Sequence, residues 1–131
     1  KKNNSSNSNL DDRQQVAIEM LNKGLEYFSA GNYSNAYNEL QILVESNEKD
    51  INALFYSALC MYNLNNTKGA KNRLTKLVKD HFFGEEANWY YALCLIKENN
   101  IKDATLKLNE IVNANGFYAL QAKKKLEDLT R

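Results

Sequence analysis

Residues 51–84 read INALFYSALCMYNLNNTKGAKNRLTKLVKDHFFG, and residues 85–118 read EEANWYYALCLIKENNIKDATLKLNEIVNANGFY. The two stretches have equal length and align with 12 identities. The same interval of 34 residues places small side chains at Gly24, Ala58 and Ala92. Each stretch is therefore one unit of a repeat.

The interval extends to a first unit, residues 17–50. Small and large apolar residues keep the same register in all three units: Ala36, Ala70 and Ala104; Leu40, Leu74 and Leu108; Leu43, Leu77 and Ile111. Within a unit the apolar residues follow helical spacing, as at Ala70, Leu74, Leu77 and Val78. We predict seven helices, over residues 10–29, 33–46, 51–63, 67–80, 85–97, 101–114 and 117–129.

Polar turns separate the two helices of each unit, at residues 30–32, 65–66 and 99–100. Glycine and asparagine tolerate the left-handed backbone that ends a helix, and asparagine also caps the start of the next one. These residues therefore predict a left-handed helix end followed directly by an asparagine cap.

A helix–turn–helix unit of 34 residues resembles the tetratricopeptide repeat family, and the resemblance covers about residues 17 to 129. The first unit matches the family's pattern at seven positions: Gly24, Tyr27, Phe28, Gly31, Tyr33, Ala36 and Leu40. The resemblance implies an all-α fold, a right-handed superhelical solenoid of three helix pairs and a C-terminal capping helix. Residues 1–9 are then a polar tail and residues 10–131 the domain, with repeats at 17–50, 51–84 and 85–118.

One departure from the family concerns the turns between units. The proline usual near repeat position 32 is replaced by Glu48, Phe82 and Gly116. We therefore expect these turns to differ from the family's, with Phe82 or Phe83 and also Phe117 wedged between units.

Residues 117–129 have the composition of a capping helix. One stripe is apolar, comprising Ala119, Ala122, Leu126 and Leu129. The opposite face is charged, comprising Lys123, Lys124, Lys125, Glu127 and Asp128. A repeat array needs such a polar outer face at its end.

Composition excludes several classes of function. Hydrophobic residues make up 44% of the chain, and the formal net charge is only +1, whereas nucleic-acid-binding domains are strongly basic. No apolar stretch reaches the roughly 18 to 20 residues that span a bilayer. We expect no nucleic-acid partner and no membrane insertion by this segment.

The chain begins at Lys1 and not at a methionine. The stretches WYYALCLIKENN (89–100) and FYALQAKKKLEDL (117–129) are similar to tetratricopeptide domains of bacterial cell-envelope proteins. We therefore expect an upstream segment that places the domain in the periplasm or at a membrane, in preference to the cytoplasm.

Candidate chemistry is sparse. Cys60, Cys94 and His81 match no zinc spacing, and both cysteines occupy repeat position 10, where the family prefers a small buried residue. Equivalent helices pack about 8–10 Å apart, too far for a disulfide between them. We predict buried thiols, no metal, no cofactor and no catalytic residues, so the chain is not expected to be an enzyme. The basic residues Lys68, Lys71, Arg73, Lys76 and Lys79 are interpreted as a solvated face, with a patch for an acidic partner or a membrane surface as the alternative.

The resemblance also implies a binding surface, because the first helix of each pair lines the concave face in this family. The matching apolar positions are Leu21, Leu25, Phe28, Phe55, Leu59, Tyr62, Trp89, Leu93 and Ile96. Chaperone-binding family members clamp a C-terminal carboxylate with lysine, arginine and asparagine at positions 5 and 9, and none of these is present here. We therefore predict that the groove binds a partner polypeptide through apolar contacts.

Two alternatives remain open. Superhelical curvature or the chain's own tail could bury the same side chains as core. Alternatively, the apolar face could pair with a second copy, which would make the chain a self-association module of a larger envelope protein.

Overall fold

The computed structural model describes residues 5–47 and 49–131, with side chains from Asp12 onward. This part of the chain forms seven α-helices: α1 (Ser5–Ser29), α2 (Tyr33–Ser46), α3 (Ile51–Asn63), α4 (Thr67–Thr75), α5 (Gly84–Lys97), α6 (Ile101–Ala114) and α7 (Ala119–Leu129). Helix α1 begins at Ser5, before the predicted start at residue 10. Residues 1–4 of the predicted tail lie outside the described part.

Apart from the start of α1, the predicted helices agree with the observed ones to within two residues except at the end of α4. This helix ends at Thr75, whereas the periodicity predicted residue 80. Beyond it the backbone turns more tightly, because the N–H groups of Lys76, Leu77 and Asp80 each bond to the carbonyl three residues earlier. The Asp80 carboxylate then accepts the N–H groups of residues 82 and 83, which directs the chain into α5.

The turns within the units have the predicted form. Gly31, Asn65 and Asn99 have positive φ angles of 79°, 68° and 61°. The next residue caps the following helix each time, since the side chains of Asn32, Asn66 and Asn100 accept the N–H three residues ahead. Two adjacent residues thus end one helix and begin the next, which sets the antiparallel pairs.

Consecutive helices pack against each other along the whole chain, and α1 contacts α3 as α3 contacts α5. The first pair approaches closely at Gly24 of α1, where an added Cβ would lie 2.8 Å from the Leu40 side chain of α2. Leu40 itself is fully buried. This stacking of helix pairs confirms the predicted helical solenoid.

Helix α7 closes the end of the stack as predicted. Ala122 is fully buried, and Leu126 and Leu129 pack against a cluster that includes Leu108 and Ile111 of α6. Residues 123, 124, 127 and 128 of α7 are exposed. The apolar stripe therefore covers α6, and the charged face points to solvent.

The expectation that aromatic side chains wedge between units is right for Phe83 and wrong for Phe117. Phe83 stacks on Phe55 at 4.4 Å between ring centroids, whereas Phe117 is 71% exposed. Tyr118 takes the inner position and stacks on Trp89 at 5.3 Å. The reason is a one-residue offset: α5 begins at Gly84, but α7 begins at Ala119, one residue past the equivalent position in the repeat.

Candidate functional site

The predicted groove residues lie on three helices that follow one another in space. Helix α1 carries Leu21, Leu25 and Phe28; α3 carries Phe55, Leu59 and Tyr62; α5 carries Trp89, Leu93 and Ile96. Because α3 contacts both α1 and α5, the three helices form one continuous face. We refer to these nine residues as the groove residues.

The groove residues differ in exposure. Phe55 and Leu59 are only 4% and 5% exposed, so they belong to the core and form the floor of the face. The other seven are partly buried. Phe55 is covered by Phe83, and its ring also meets those of Tyr56 and Tyr90 edge to face.

Two groove residues, Leu25 and Leu93, lie outside the hydrophobic core. Both occupy repeat position 9. They are partly exposed, and they pack against none of the buried clusters in the described part of the chain. Such side chains leave apolar area that another molecule can cover.

Trp89 stands at the C-terminal end of the face. Its ring lies nearly parallel to that of Tyr118, with 12° between the planes. It also borders a recess of about 340 Å³ whose other walls come from α7: Gln121, Lys124, Lys125 and Asp128. The recess combines one aromatic wall with a polar, mostly basic rim.

The sequence pattern does not place Tyr118, Lys124 or Lys125 beside the groove, because it predicts α7 only as a capping helix. The position of α7 in the repeat is the signal that indicates this placement. Helix α7 follows α6 as α5 follows α4, so it also occupies the place of a first helix in a further pair.

The Lys97 side chain lies over Tyr62 of α3, at another end of the face. Its Nζ lies 4.0 Å from the centroid of the Tyr62 ring and donates to the Tyr62 carbonyl at 2.9 Å and to Asn65 Oδ1 at 3.2 Å. Burial raises the pKa of the Tyr62 hydroxyl, with further contributions from Cys94 and Tyr90. The Lys97 ammonium thus lies over the ring of a partly buried tyrosine.

The basic residues of the second unit do not all form a solvated face. Lys68, Lys76 and Lys79 are exposed as predicted. Arg73 is partly buried instead: it donates to Ser57 Oγ at 2.6 Å and to the Gln41 side chain, with its guanidinium over the Tyr37 ring. It joins α2, α3 and α4 as a structural residue.

Lys71 is also engaged. Its ammonium lies 2.7 Å from the Glu98 carboxylate, which also accepts a hydrogen bond from Thr67. This bond raises the pKa of Lys71. Partial burial acts to raise the pKa of Glu98, but the hydrogen bonds from Lys71 and Thr67 outweigh it and lower that pKa. The three side chains tie the second unit to the third.

The cysteines are buried, free thiols, as predicted. Burial raises the pKa of both Cys60 and Cys94 to about 11. In the described part of the chain, no group of three or more His, Cys, Asp or Glu side chains is arranged to hold a metal ion. Nor is any described helix both long enough and apolar enough to cross a membrane.

Residues 52–81 match the sequence model of the tetratricopeptide repeat. The second unit is therefore a tetratricopeptide repeat. A comparison with curated proteins finds no significant sequence match.

Several solved structures share the tetratricopeptide solenoid of this chain. PcrH in complex with the chaperone binding region of PopD has a TM-score of 0.77 at 15% identity, covering 89% of this chain and 92% of PcrH. The Yersinia enterocolitica type III secretion chaperone SycD, in complex with a peptide of the translocator YopD, has a TM-score of 0.75 at 13% identity, covering 88% and 93%. The first tetratricopeptide domain of Spaghetti (RPAP3), bound to the HSP90 peptide SRMEEVD, has a TM-score of 0.72 at 16% identity, covering 88% and 91%. At these identities the likeness establishes the fold.

Proposed function

We propose that this chain is a protein-interaction module whose groove binds an apolar segment of a partner polypeptide. The observation that carries the proposal is the row of partly exposed apolar side chains on α1, α3 and α5, above all Leu25 and Leu93, which pack against no buried cluster of the described residues. The three neighbours of the same fold, each holding a segment of another protein, support it.

The chemistry of the groove defines the kind of segment. Positions 5 and 9 of the three units are apolar throughout: Leu21, Leu25, Phe55, Leu59, Trp89 and Leu93. A cationic clamp for a terminal carboxylate is therefore missing from these positions, and an acidic peptide such as SRMEEVD would find no cation there. The partner segment supplies leucine, isoleucine, valine or aromatic side chains, on an amphipathic helix or an extended strand.

Within the groove, Phe55 and Leu59 support the face from below. Trp89 and Leu93 are the residues that contact the partner. The first two are core residues, so their removal would damage the fold. Trp89 and Leu93 keep exposed area and lie one helical turn apart on α5. Binding hot spots favour tryptophan, and Trp89 is the only tryptophan in the sequence, which makes it the expected anchor.

A capture experiment with lysate of the source cells tests the proposal. The Trp89→Ala and Leu93→Ala variants should each lose about 2 kcal/mol of binding, which is about thirtyfold in affinity. Leu106→Ala removes an exposed leucine from α6 and is the matched control, with Lys76→Ala as a second. The proposal fails if folded groove variants retain the partner as well as the wild type does.

Self-association is a second candidate, favoured by an exposed apolar residue of α1. Ile18 is 50% exposed and lies one helical turn before Leu21, so it extends the apolar face towards the N-terminal end of α1. Light scattering after size exclusion, over a hundredfold range of concentration, separates the candidates. A dimer that dissociates in the Ile18→Glu variant supports self-association, whereas a monomer at every concentration excludes it.

A further inference from the structure

A cavity lies outside the groove, where α5, α6 and the turn into α7 meet. Its volume is about 250 Å³, and its apolar walls are Ile111, Ala114 and Tyr118. Tyr118 borders both sites, because the ring that lines the cavity also stacks on Trp89 of the groove. The cavity itself contains none of the groove residues.

The polar part of the cavity is acidic. Glu85 and Glu110 line it together with Asn88. Lys107 lies 3.3 Å from the Glu110 carboxylate and donates to Asn88 Oδ1 at 3.1 Å. Glu85 accepts the N–H of Phe117 at 3.3 Å and makes no ion pair with the residues that the structure describes. Of the two carboxylates, only that of Glu110 has an ammonium group beside it, which leaves negative charge at the rim.

Large apolar side chains stand in solvent at this edge of the solenoid. Phe117 is 71% exposed, and Leu120, three residues further along the chain, is 80% exposed. Phe82 is 74% exposed, three residues before Glu85. The Phe117 N–H donates to the Glu85 carboxylate, which joins the turn before α7 to the first turn of α5, three residues beyond Phe82. Exposed apolar groups beside a cavity are a mark of an interaction site.

We propose that this edge is a second docking surface, which binds an arginine or lysine carried within an apolar segment of a partner protein. The aliphatic stem of such a residue fits the apolar walls while its cationic head meets the carboxylates. The Tyr118 and Phe117 rings offer faces to a guanidinium. The neighbouring apolar residues of the partner cover Phe117, Leu120 and Phe82. Acidic segments are repelled by the uncompensated charge at the rim.

Nuclear magnetic resonance of the whole, ¹⁵N-labelled chain tests the proposal with a defined probe. The probe is the acetylated and amidated peptide Leu-Arg-Leu, and the matched control is the same peptide with citrulline, which keeps the shape of arginine without its charge. The arginine peptide should give saturable shifts of the Gly116 and Phe117 amides. The citrulline peptide should bind with an affinity about fivefold lower, as expected for a lost ion pair near the surface.

Variants locate the effect. Glu85→Gln keeps an oxygen that can accept the Phe117 N–H, so the turn is retained while the charge is removed. It should weaken the arginine peptide about fivefold, as should Glu110→Gln, whereas Glu26→Gln on α1 should leave its affinity unchanged. If Glu85→Gln disturbs the fold, Glu110→Gln alone decides.

Several results would overturn the proposal. These are equal binding of the citrulline peptide, equal weakening by Glu26→Gln, shifts confined to groove amides such as those of Leu93 and Ile96, and shifts that never saturate. A dimer of the free protein that Glu85→Gln dissolves would also overturn it, because the occupant would then be a second copy of this chain.

Discussion

The rings of Phe55 and Phe83 lie stacked, with centroids 4.4 Å apart and planes 14° from parallel. Trp89, at the equivalent position of the next unit, forms the same kind of pair with Tyr118 at 5.3 Å. Each pair joins the first helix of a unit to the turn that follows the unit's second helix. The two pairs differ in exposure, since Phe55 is buried and Trp89 remains partly open. The same repeat position thus holds a core residue, Phe55, in the second unit and a partly exposed residue, Trp89, in the third.

Replacement of Phe55 by alanine should destabilise the protein by about 3–5 kcal/mol, the usual cost of removing a buried aromatic side chain. Denaturant unfolding followed by circular dichroism measures the change. Phe82→Ala is the matched control, because Phe82 is the same residue type but 74% exposed. Its effect should stay within about 0.5 kcal/mol. Similar losses in both variants would show that Phe55 does not pack as described.

Replacement of Gly24 by alanine should destabilise the first helix pair. The new methyl group would lie 2.8 Å from Leu40, which is fully buried and has little freedom to move. Overpacking costs about 1–3 kcal/mol, and the better helix propensity of alanine offsets up to about 1 kcal/mol of it. A double-mutant cycle with Leu40→Ala checks the cause: the two changes should be coupled, with Gly24→Ala harmless once Leu40 is truncated. Additive effects would place the strain elsewhere.

We predict that the two buried cysteines make the protein less stable at alkaline pH. Burial raises the pKa of both thiols to about 11, whereas an unfolded cysteine has a pKa of about 8.5. Below about pH 8.5 both states are protonated and the full stability is present. As the pH rises towards 11, the unfolded state loses these protons first, so the free energy of unfolding falls by up to roughly 3 kcal/mol per thiol.

Unfolding free energies at pH 8 and pH 10.5 test this, with the Cys60→Ala/Cys94→Ala variant as control. Both proteins keep the same tyrosines and lysines, so the difference between them isolates the thiols. The variant should lose less stability than the wild type. An equal loss would mean that the thiols are not protected by burial.

Deletion of residues 117–131 should cause aggregation or a large fall in melting temperature. It uncovers Leu108 and Ile111 and removes several apolar contacts worth about 1 kcal/mol or more each. A point substitution gives the sharper comparison: Ala122→Asp places a charge at a fully buried site of α7, whereas Gln121→Asp places it at an exposed neighbour. Only the first should lower the melting temperature strongly. A truncated chain as soluble and stable as the whole one would contradict the role of α7 as a cap.

The sequence predicted the solenoid because its repeat constrains helices and turns together. Small residues such as Ala70 recur where helices approach, and asparagine recurs where one helix ends and the next is capped. The end of α4 was predicted wrongly, since a turn with bonds to the third preceding carbonyl keeps Leu74, Leu77 and Val78 at nearly helical spacing. Periodicity alone does not distinguish the two.

The site was less predictable than the fold. The register identified which residues share a face, but not which of them a neighbouring aromatic ring covers. Phe83 and Phe117 are identical residues at equivalent positions, yet one is packed on Phe55 and the other stands in solvent. The one-residue shift in the start of α7 causes the difference and also brings Tyr118 onto Trp89.

Photo-crosslinking from the groove tests the central proposal most directly. Benzoylphenylalanine is placed at Leu93 in one chain and at Leu106, on the outer helix α6, in another, and both are irradiated in lysate of the source cells. We predict a discrete covalent adduct with a different protein from position 93, lost when Trp89→Ala is added, and none from position 106. Adducts from position 106 alone, or an adduct from position 93 with a second copy of this chain, would contradict the proposal that the groove binds a partner polypeptide.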